Sequence, residues 1–279
     1  MLRIAVPNKG SLAETATEML SEAGYTGRRD TKDLHVIDPD NGVEFFYLRP
    51  RDIATYVGSG ALDVGITGRD LLLDARGRAR EIESLGFGES TFRFAGPPGR
   101  FSDVADLDGV RVATSYPGLV DSYLDAQGIA VDLVPLDGAV ESAVDLGVAD
   151  AVADVVSTGT TLRQAGLEVF GPVMLQSEAV VIAGPHDADG TETLLRRLRG
   201  VMVARRYVLI DYDLPAALVD QAVALAPGIE SPTISPLRDP EWVAVRVMSL
   251  RKTVNQVMDG LYALGARAIL VTAIDAARL

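Results

Sequence analysis

The sequence predicts an α/β protein with two similar lobes, followed by a separate domain of βαββαβ order. Three observations indicate this organisation. Short apolar strands alternate with amphipathic helices through most of the chain, which is typical of sheets flanked by helices. A helix, a glycine, an aspartate three residues later and a strand occur in that order twice, within Leu48–Gly68 and Leu136–Val155. After the helix predicted at Thr191–Arg199 the pattern changes to longer alternating strands.

Composition limits the classes of function. The chain has 279 residues, 48% of them hydrophobic, and a formal net charge of −13, so it can form two or three domains and should repel nucleic acid. It contains no cysteine and two histidines, which excludes thiolate chemistry and disfavours histidine-ligated zinc or a Ser-His-Asp triad. The strand at Met1–Val6 leaves no room for a leader, and no apolar run is long enough to span a membrane. We therefore expect a cytoplasmic protein without membrane contact.

The first lobe begins as three strand-loop-helix units. Polar side chains follow each predicted strand: Lys9, Arg49 and Asp70. Ligands of such sheets bind beyond the carboxyl ends of the strands, so these three residues are candidates for a site. The predicted strands are Leu2–Val6, Val43–Leu48 and Asp63–Thr67, and the predicted helices are Leu12–Ala23, Ile53–Gly58 and one starting at Leu71.

Each candidate has a simpler structural alternative. Lys9 lies in a tight turn and either contacts a phosphate or is solvated. Arg49 precedes Pro50, which restricts it to an extended backbone, and either binds phosphate or forms a surface ion pair. Asp70 either contacts a ligand or caps the following helix. The sequence leaves three further polar residues undecided: Arg51, Arg69 and Asp150.

The second lobe repeats the plan. A strand is predicted at Val110–Thr114, and a proline in the first turn favours a helix at Gly118–Ala126. A helix at Val140–Leu146 and a strand at Asp150–Val156 precede a loop of hydroxyl residues and glycine, and another helix begins near Leu162. The loop is Ser157, Thr158, Gly159, Thr160 and Thr161.

This loop suits a phosphate group, because backbone N–H groups and hydroxyls before a helix converge on an anion. The same composition also forms ordinary turns. Asp154 precedes the loop, where its carboxylate can accept hydrogen bonds from ribose hydroxyls or bind Mg²⁺.

Two apolar strands are predicted to connect the lobes. One is Phe92–Pro97 and the other is Val180–Pro185. Two crossing segments indicate a hinge and a cleft that closes over a ligand. We predict a bilobal, periplasmic-binding-protein-like part, with lobe I at 1–90 and 179–205 and lobe II at 91–178.

The tail is predicted to be a ferredoxin-like domain at 206–279, in which two helices cover one face of a four-stranded sheet. A basic helix at Thr191–Arg199 precedes it. Asp213 is positioned to cap its first helix. The predicted elements are a strand at Val201–Asp211, a helix at Pro215–Leu225, strands at Ser231–Ser235 and Trp242–Leu250, a helix at Thr253–Leu264 and a strand at Arg267–Ile274.

The pattern E-x5-G-x-A-x2-V-x-D-V-x2-T-G-x-T, from Glu141 to Thr161, resembles the signature of the ATP phosphoribosyltransferase family. The similarity runs from Val6–Gly10 to Ala266–Leu279 and is to the long form of the family. It implies transfer of the phosphoribosyl group of phosphoribosyl pyrophosphate (PRPP) to the adenine ring of ATP, giving phosphoribosyl-ATP and pyrophosphate. This is the first step of histidine biosynthesis. The resemblance also implies Mg²⁺ as cofactor, histidine as a feedback inhibitor bound by the tail domain, and a homo-oligomer between dimer and hexamer.

The resemblance further implies roles for individual residues. Catalytic roles fall to Lys9, Arg49, Glu141 and Asp154, and PRPP binding to Asp154, Ser157, Thr158, Gly159, Thr160 and Thr161. ATP binding falls to Asp70, Leu71 and Tyr116, and histidine binding to Asp213, Thr233, Met248 and Ala268. Mg²⁺ would be carried mainly by the substrate, with Glu141 and Asp154 as further ligands. Residue 153 is Ala, whereas better-known phosphoribosyltransferases have two adjacent acids, so two carboxylates need not bind the ribose together.

Two other classes of protein share the bilobal plan. A solute-binding protein would need an export signal and would not release pyrophosphate. A ligand-sensing transcription regulator would need a basic helix-turn-helix and a less acidic surface. The sequence favours the enzyme.

Overall fold

The computed structural model describes residues 1–156 and 159–278. These residues form two compact units, one of Met1–Ser21 and Tyr25–Glu192, the other of Glu22–Gly24 and the chain from Thr193 onward. The second unit thus begins before the predicted start of the tail domain at residue 206. The predicted ranges of lobe I, lobe II and the tail domain are not tested by this division and remain predictions.

The first unit alternates strands and helices, as expected. Its strands are β1 (Leu2–Pro7), β2 (His35–Asp38), β3 (Val43–Leu48), β4 (Val64–Gly68), β5 (Arg80–Ser84), β6 (Ser90–Gly96), β7 (Arg111–Thr114), β8 (Asp132–Pro135), β9 (Ala151–Val156), β10 (Glu168–Ser177) and β11 (Ala179–Ala183). Its helices are α1 (Ser11–Glu22), α2 (Pro50–Gly58), α3 (Arg69–Asp74), α4 (Pro117–Asp125), α5 (Ser142–Asp145) and α6 (Thr160–Gln164). A further helix, α7 (Thr191–Arg206), leads into the second unit.

The strands of this unit form two sheets, ordered β2-β3-β1-β4-β11-β5 and β10-β6-β9-β7-β8. The pairs β1–β3, β1–β4, β7–β8 and β7–β9 are parallel, and the remaining pairs are antiparallel. The sheets are therefore mixed rather than mainly parallel, although the predicted α/β class is confirmed. The sequence reading missed β2, β5, β8 and β10, which are largely exposed and lack a clear apolar pattern.

The inner strands of the first sheet are buried. All five residues of β4 and of β11 are buried. Ile53 and Val57 of α2 are fully buried as well, and they cluster with Ala5 of β1 and Ile182 of β11. Burial of each isoleucine or valine side chain of this cluster contributes about 1.5–3 kcal/mol to stability. This core fixes the carboxyl ends of β1, β3 and β4, from which Lys9, Arg49 and Asp70 extend.

Helix α7 is longer than predicted and continues to Arg206. The segment predicted as the start of a strand at Val201 is helical, because its buried residues follow a helical spacing. The buried set is Leu194, Leu195, Leu198, Gly200, Val201 and Ala204. A helix that buries one face at this spacing is more stable than the alternating strand that was predicted to begin at Val201.

The second unit has the predicted ferredoxin-like order. Its elements are β12 (Tyr207–Pro215), α8 (Val219–Leu225), β13 (Thr233–Pro236), β14 (Trp242–Leu250), α9 (Val254–Leu264) and β15 (Arg267–Ala273). The strands form an antiparallel sheet ordered β13-β14-β12-β15. Ala222 of α8 and Leu261 of α9 cover one face, where they meet Ile210 and Val247.

Asp213 does not cap a helix. It lies inside β12, which continues to Pro215, and α8 begins at Val219 after a short 3-10 turn. The alternation of buried residues extends through Tyr212 and Leu214, so the sheet continues past the predicted turn. No helix among residues 1–156 and 159–278 has the length and apolar character that crossing a membrane requires.

Candidate active site

A cavity of about 400 Å³ lies beyond the carboxyl ends of β1 and β4 in the first unit. Four of the sequence-selected residues line it: Lys9, Asp70, Leu71 and Tyr116. Other polar residues on its wall are Ser11, Glu89, Ser90, Ser177 and Glu178. The cavity therefore joins a lysine from one loop to a carboxylate and a phenol from two others.

The carboxylate of Asp70 is buried and held by a serine from a distant strand. Asp70 is 7% exposed. The hydroxyl of Ser177 donates to Asp70 Oδ1 at 2.9 Å and accepts from the Asp70 backbone N–H at 3.1 Å. A Cβ on Gly68 would collide with Asp70 Oδ1, so this turn requires glycine to seat the carboxylate. Asp70 lies in the first turn of α3 rather than at its cap.

Tyr116 faces Asp70 from the second sheet. Its ring packs edge-on against Phe92, with ring centroids 5.1 Å apart. Burial, followed by the negative charges of Asp70 and Asp154, raises the pKa of the Tyr116 phenol well above its usual range. The phenol therefore remains protonated at neutral pH and acts as a hydrogen-bond donor.

Lys9 and Arg49 leave the same end of adjacent strands. Pro7 is in register with Leu48 in the parallel pair β1–β3, and the Asn8 N–H donates to the Leu48 carbonyl at 2.8 Å. Arg49 has the extended backbone expected before proline, with φ −64° and ψ 135°. Both side chains are exposed, and within residues 1–156 and 159–278 neither has a hydrogen bond or ion pair. Arg49 adjoins the lining residue Pro50 but does not itself line the cavity.

Asp154 lies near the end of β9 and carries poorly compensated charge. Burial raises the pKa of its carboxyl, and so do the charges of Glu141 and Asp70. The bond that opposes this shift comes from the Val155 N–H, at 2.8 Å from Asp154 Oδ1. Glu141 stands immediately before α5, and its side chain makes no capping bond to that helix. Neither acid lines the cavity, although Val155 does.

The predicted phosphate loop is described in part. Ser157 and Thr158 lie outside the described residues. Gly159 has a left-handed backbone, with φ 68°, and Thr160 and Thr161 are the first residues of α6. Arg163, which the sequence reading missed, donates from Nη2 to Thr160 Oγ1 at 3.5 Å. The sequence signal that could have identified Arg163 is its position as a basic residue in the helix that follows a candidate phosphate loop.

The structure assigns Asp150 to the framework of the second sheet. Its two carboxylate oxygens accept from Arg100 Nη2 and Arg111 Nε, each at 3.0 Å. These bonds hold the pKa of Asp150 below its usual range, the Arg111 bond contributing most. Arg111 also donates to the Gly147 carbonyl at 3.0 Å. Asp150 therefore stabilises the turn before β9.

Arg69 connects α3 to β5 and to the residue before β11. It donates to both carboxylate oxygens of Glu81, at 2.8 and 2.7 Å, and to Glu178 Oε1 at 3.1 Å. Its backbone N–H also donates to the Glu178 carbonyl at 3.0 Å. The hydrogen bonds that Arg69 donates to Glu81 raise the pKa of the Arg69 guanidinium above its usual range. Asp70 also bonds Ser177, the neighbour of Glu178. Helix α3 is therefore fixed to the chain just before β11, the second strand that connects the lobes.

Sequence reasoning missed the polar residues next to the crossings. Glu89 precedes β6 and Ser90 is its first residue, while Ser177 is the last residue of β10 and Glu178 lies between β10 and β11. All four line the cavity. The two apolar crossing segments were recognised, so the polar residues just before each of them were the available signal.

The predicted histidine-binding residues lie on the sheet of the second unit. Asp213 and Met248 alternate with buried neighbours that face α8 and α9, so both are on the opposite face. Thr233 is in register with Arg246 on that same open side. Ala268 has φ 50° and lies where the β12–β15 register shifts. Asp211 bonds Arg246 Nε at 2.7 Å.

Comparisons with known proteins identify the same family along the chain. A family model described as ATP phosphoribosyltransferase matches residues 49–200, and one described as the HisG C-terminal domain matches residues 204–276. ATP phosphoribosyltransferases of Arthrobacter sp. and Streptomyces coelicolor are 63% and 59% identical, each over 100% of both chains. The ATP phosphoribosyl transferase (HisG:HisZ) complex from Thermotoga maritima superposes with a TM-score of 0.64 at 28% identity, covering 72% of this chain and 98% of that one.

Proposed function

We infer, from the premise that the chain belongs to the ATP phosphoribosyltransferase family in its long form, that its cleft is where ATP and PRPP react. The chain is a pentosyltransferase of the first step of histidine biosynthesis. An adenine ring nitrogen attacks C1′ of PRPP, while the bond from C1′ to pyrophosphate breaks and its electron pair leaves with pyrophosphate. The observation that carries the assignment to this cleft is that Lys9, which has no ion-pair partner among the described residues, lies beside the Asp70–Tyr116 pair in one cavity.

In this proposal Lys9 and Arg49 stabilise the departing pyrophosphate. Negative charge develops on the leaving group, and fixed cations at that position lower the barrier because they need no reorganisation. The register of Pro7 with Leu48 brings the two loops to one end of the sheet. The absence of a protein anion on either side chain within the described residues keeps both charges available for substrate.

Asp154 and Glu141 are proposed to support the sugar. The ribose becomes cationic in character as pyrophosphate departs, and nearby carboxylates stabilise that charge. The raised pKa of Asp154 reports negative charge that the protein leaves largely uncompensated. Hydrogen bonds from the ribose hydroxyls would favour the ionised carboxylate, so Asp154 gains its missing partners when substrate binds.

Asp70, Leu71 and Tyr116 are proposed to hold the adenine nucleotide. Leu71 and the Tyr116 ring offer apolar surface for the base, while the protonated phenol donates its hydrogen bond to Asp70. Ser177 orients Asp70 Oδ1, which leaves the carboxylate able to accept a hydrogen bond from the nucleotide.

The 5′-phosphate of PRPP is proposed to bind the loop from Ser157 to Thr161. The left-handed Gly159 turns the chain into α6, and Thr160 and Thr161 present hydroxyls next to it. Arg163, bonded to Thr160 Oγ1, adds positive charge beside the loop. Charge-assisted bonds of this type contribute about 1.5–3 kcal/mol each.

The carboxylates fit Mg²⁺ that arrives with PRPP. Among residues 1–156 and 159–278, no three His, Cys, Asp or Glu side chains are grouped as metal ligands. Mg²⁺ usually takes one or two protein carboxylates together with substrate phosphates. Glu141 and Asp154 provide two oxygen donors with mutually repelling charge. When bound, Mg²⁺ supplies neutralising charge for the pyrophosphate.

Histidine is proposed to inhibit from the second unit, at a site shared by two subunits. Asp213 is in register with Ala244, four residues along β14 from Met248, which separates Asp213 from Met248 by about 13 Å at 3.3 Å per residue. Asp213 and Met248 lie on the open face of the sheet, opposite α8 and α9, where a second copy of the chain would complete the pocket. A homo-oligomer between dimer and hexamer is part of this proposal.

A coupled pyrophosphate assay tests the proposal. Pyrophosphate should appear when ATP and PRPP are both present, should not appear when either is omitted, and should fall on addition of histidine. A solute-binding protein would bind one ligand without producing pyrophosphate. Pyrophosphate release that persists in Lys9→Met at the parent's rate would show that the reaction occurs elsewhere.

A further inference from the structure

The two sheets of the first unit are also joined by helix α3 and the first turn of α4. Asp74 Oδ1 accepts from the Leu119 N–H at 3.1 Å. Arg76 Nε donates to the Gly118 carbonyl at 2.8 Å. A Cβ on Gly118 would collide with the Asp74 carbonyl oxygen, so the two helices approach as closely as a glycine allows. This contact fixes the start of α4, directly after Tyr116.

Arg51 completes a connection from this contact to the Tyr116 ring. Its Nη1 bonds Asp74 Oδ2 at 2.7 Å, and its guanidinium carbon lies 4.9 Å from the Tyr116 ring centroid. Asp74 thus uses one oxygen for the α4 backbone and the other for Arg51. A planar guanidinium that lies over an aromatic ring is attracted to the π face of the ring, and this contact restricts the movement of the ring. Tyr116 is held between Arg51 and Phe92.

We propose that Arg51 and Asp74 are positioning residues for ATP, which keep the Tyr116 ring in place to receive the adenine nucleotide. The proposal rests on the assignment of Tyr116 to the nucleotide site. Arg51 belongs to α2 beside the first sheet, and Tyr116 precedes α4 beside the second. The contact of Arg51 with the Tyr116 ring, held in place by Asp74, therefore couples nucleotide binding to the approach of the two sheets. Neither residue lines the cavity itself.

Arg76 provides a matched control. It forms an ion pair with Asp121 at 2.7 Å, across the same α3–α4 contact, and its side chain is 44% exposed, as is that of Arg51. Its described partners are Gly118 and Asp121 rather than the Tyr116 ring. A general loss of helix contact should therefore appear in both arginine variants, whereas a loss of ring positioning should appear in Arg51 variants alone.

The test measures ATP binding by calorimetry without PRPP, and KM for each substrate in the pyrophosphate assay. Arg51→Met should weaken ATP binding about 3- to 30-fold, the range of a cation–π contact, and leave KM for PRPP within about twofold. Asp74→Asn should act in the same direction, and Arg51→Lys should retain part of the affinity. Arg76→Met removes the bonds to Gly118 and Asp121 but leaves the Arg51–Tyr116 contact in place, so it should change the affinity for either substrate by no more than about twofold. In a Tyr116→Leu background, Arg51→Met should have no further effect on ATP binding.

Two results would overturn the inference. One is an equal change in ATP affinity for Arg51→Met and Arg76→Met, and the other is an equal loss of ATP and PRPP affinity in Arg51→Met. If Asp74→Asn does not fold, the exposed Arg51 variants still decide. Parent-like ATP binding by Tyr116→Leu would refute the nucleotide site itself, whereas weak binding by Tyr116→Leu with parent-like binding by Arg51→Met would refute only the positioning role.

Discussion

Asp154→Asn should make the protein more stable and much less active. The side chain keeps its shape and its acceptor oxygen for the Val155 N–H, but it loses a charge that burial, Glu141 and Asp70 all disfavour. A functional residue held in an unfavourable setting is typically destabilising. The substitution therefore separates the cost of the charge to the fold from its use in the reaction.

The expected gain in the free energy of unfolding is about 0.5–2 kcal/mol, the usual range for a stabilising substitution. For a unit of this size, that gain raises Tm by about 1–8 °C. If the carboxylate binds two ribose hydroxyls at about 1.5–3 kcal/mol each, kcat/KM should fall at least about 100-fold.

The stability effect should depend on pH with a defined sign. The native-state pKa of Asp154 is raised above its unfolded-state value near 3.9, so the native protein binds the extra proton between these values. The parent therefore loses stability as pH rises through that window. The Tm difference between Asp154→Asn and the parent should be small near pH 4, grow with pH, and become constant above the native-state pKa.

Thermal unfolding measured from about pH 4.5 to about pH 8 checks the gain in stability. Pyrophosphate release at neutral pH checks the loss of activity. Asp132→Asn is the control, because Asp132 is an exposed carboxylate of the second sheet and its removal should change Tm by about 1 °C. A variant with a Tm equal to or below the parent's at pH 7.5 would refute the reasoning. It would mean that the carboxylate has a stabilising partner in the folded protein.

Three further substitutions test the other assignments. Lys9→Met should lower turnover on the order of 10²–10³-fold through loss of charge at the leaving group, with Tm unchanged in a thermal melt; a parallel loss of stability would make Lys9 structural. Thr161→Val should weaken PRPP binding about 10- to 100-fold in calorimetry without unfolding the chain, and parent-like titration would exclude this hydroxyl. Asp213→Ala should keep uninhibited activity within a few-fold of the parent but weaken histidine inhibition about 10- to 100-fold, and superimposable inhibition curves at equal ATP and PRPP would place the effector elsewhere.

The sequence by itself determined the elements whose signals are local. The strand-loop-helix units that present Lys9, Arg49 and Asp70 follow from apolar runs and turn residues, and the structure has all three at strand ends. The order of the second unit was equally readable, because strand alternation and a helix ended by Gly265 are properties of consecutive residues. The family was evident from the spacing between Glu141 and Thr161.

Local signals failed where a segment depends on its neighbours in space. The short strand β5 is mostly exposed and gains its place by pairing with β11. Val201–Ala204 is an apolar run that also suits a strand, yet burial along one face makes it helical. Asp213 was read as a cap because Pro215 follows it, but pairing with β14 extends β12 through both residues.

Tertiary structure alone decided the partners within the cleft. Asp70 and Ser177 are separated by 107 positions, and Arg51 meets Tyr116 from a different sheet. No periodicity in the chain records such pairs, because they depend on how two crossing strands orient the lobes. The same packing forms the ion pairs of Asp150 with Arg111 and of Arg69 with Glu81. Lys9, in contrast, has no anionic partner within residues 1–156 and 159–278. Burial and pairing thus separated the charges that stabilise the fold from those left to meet a substrate.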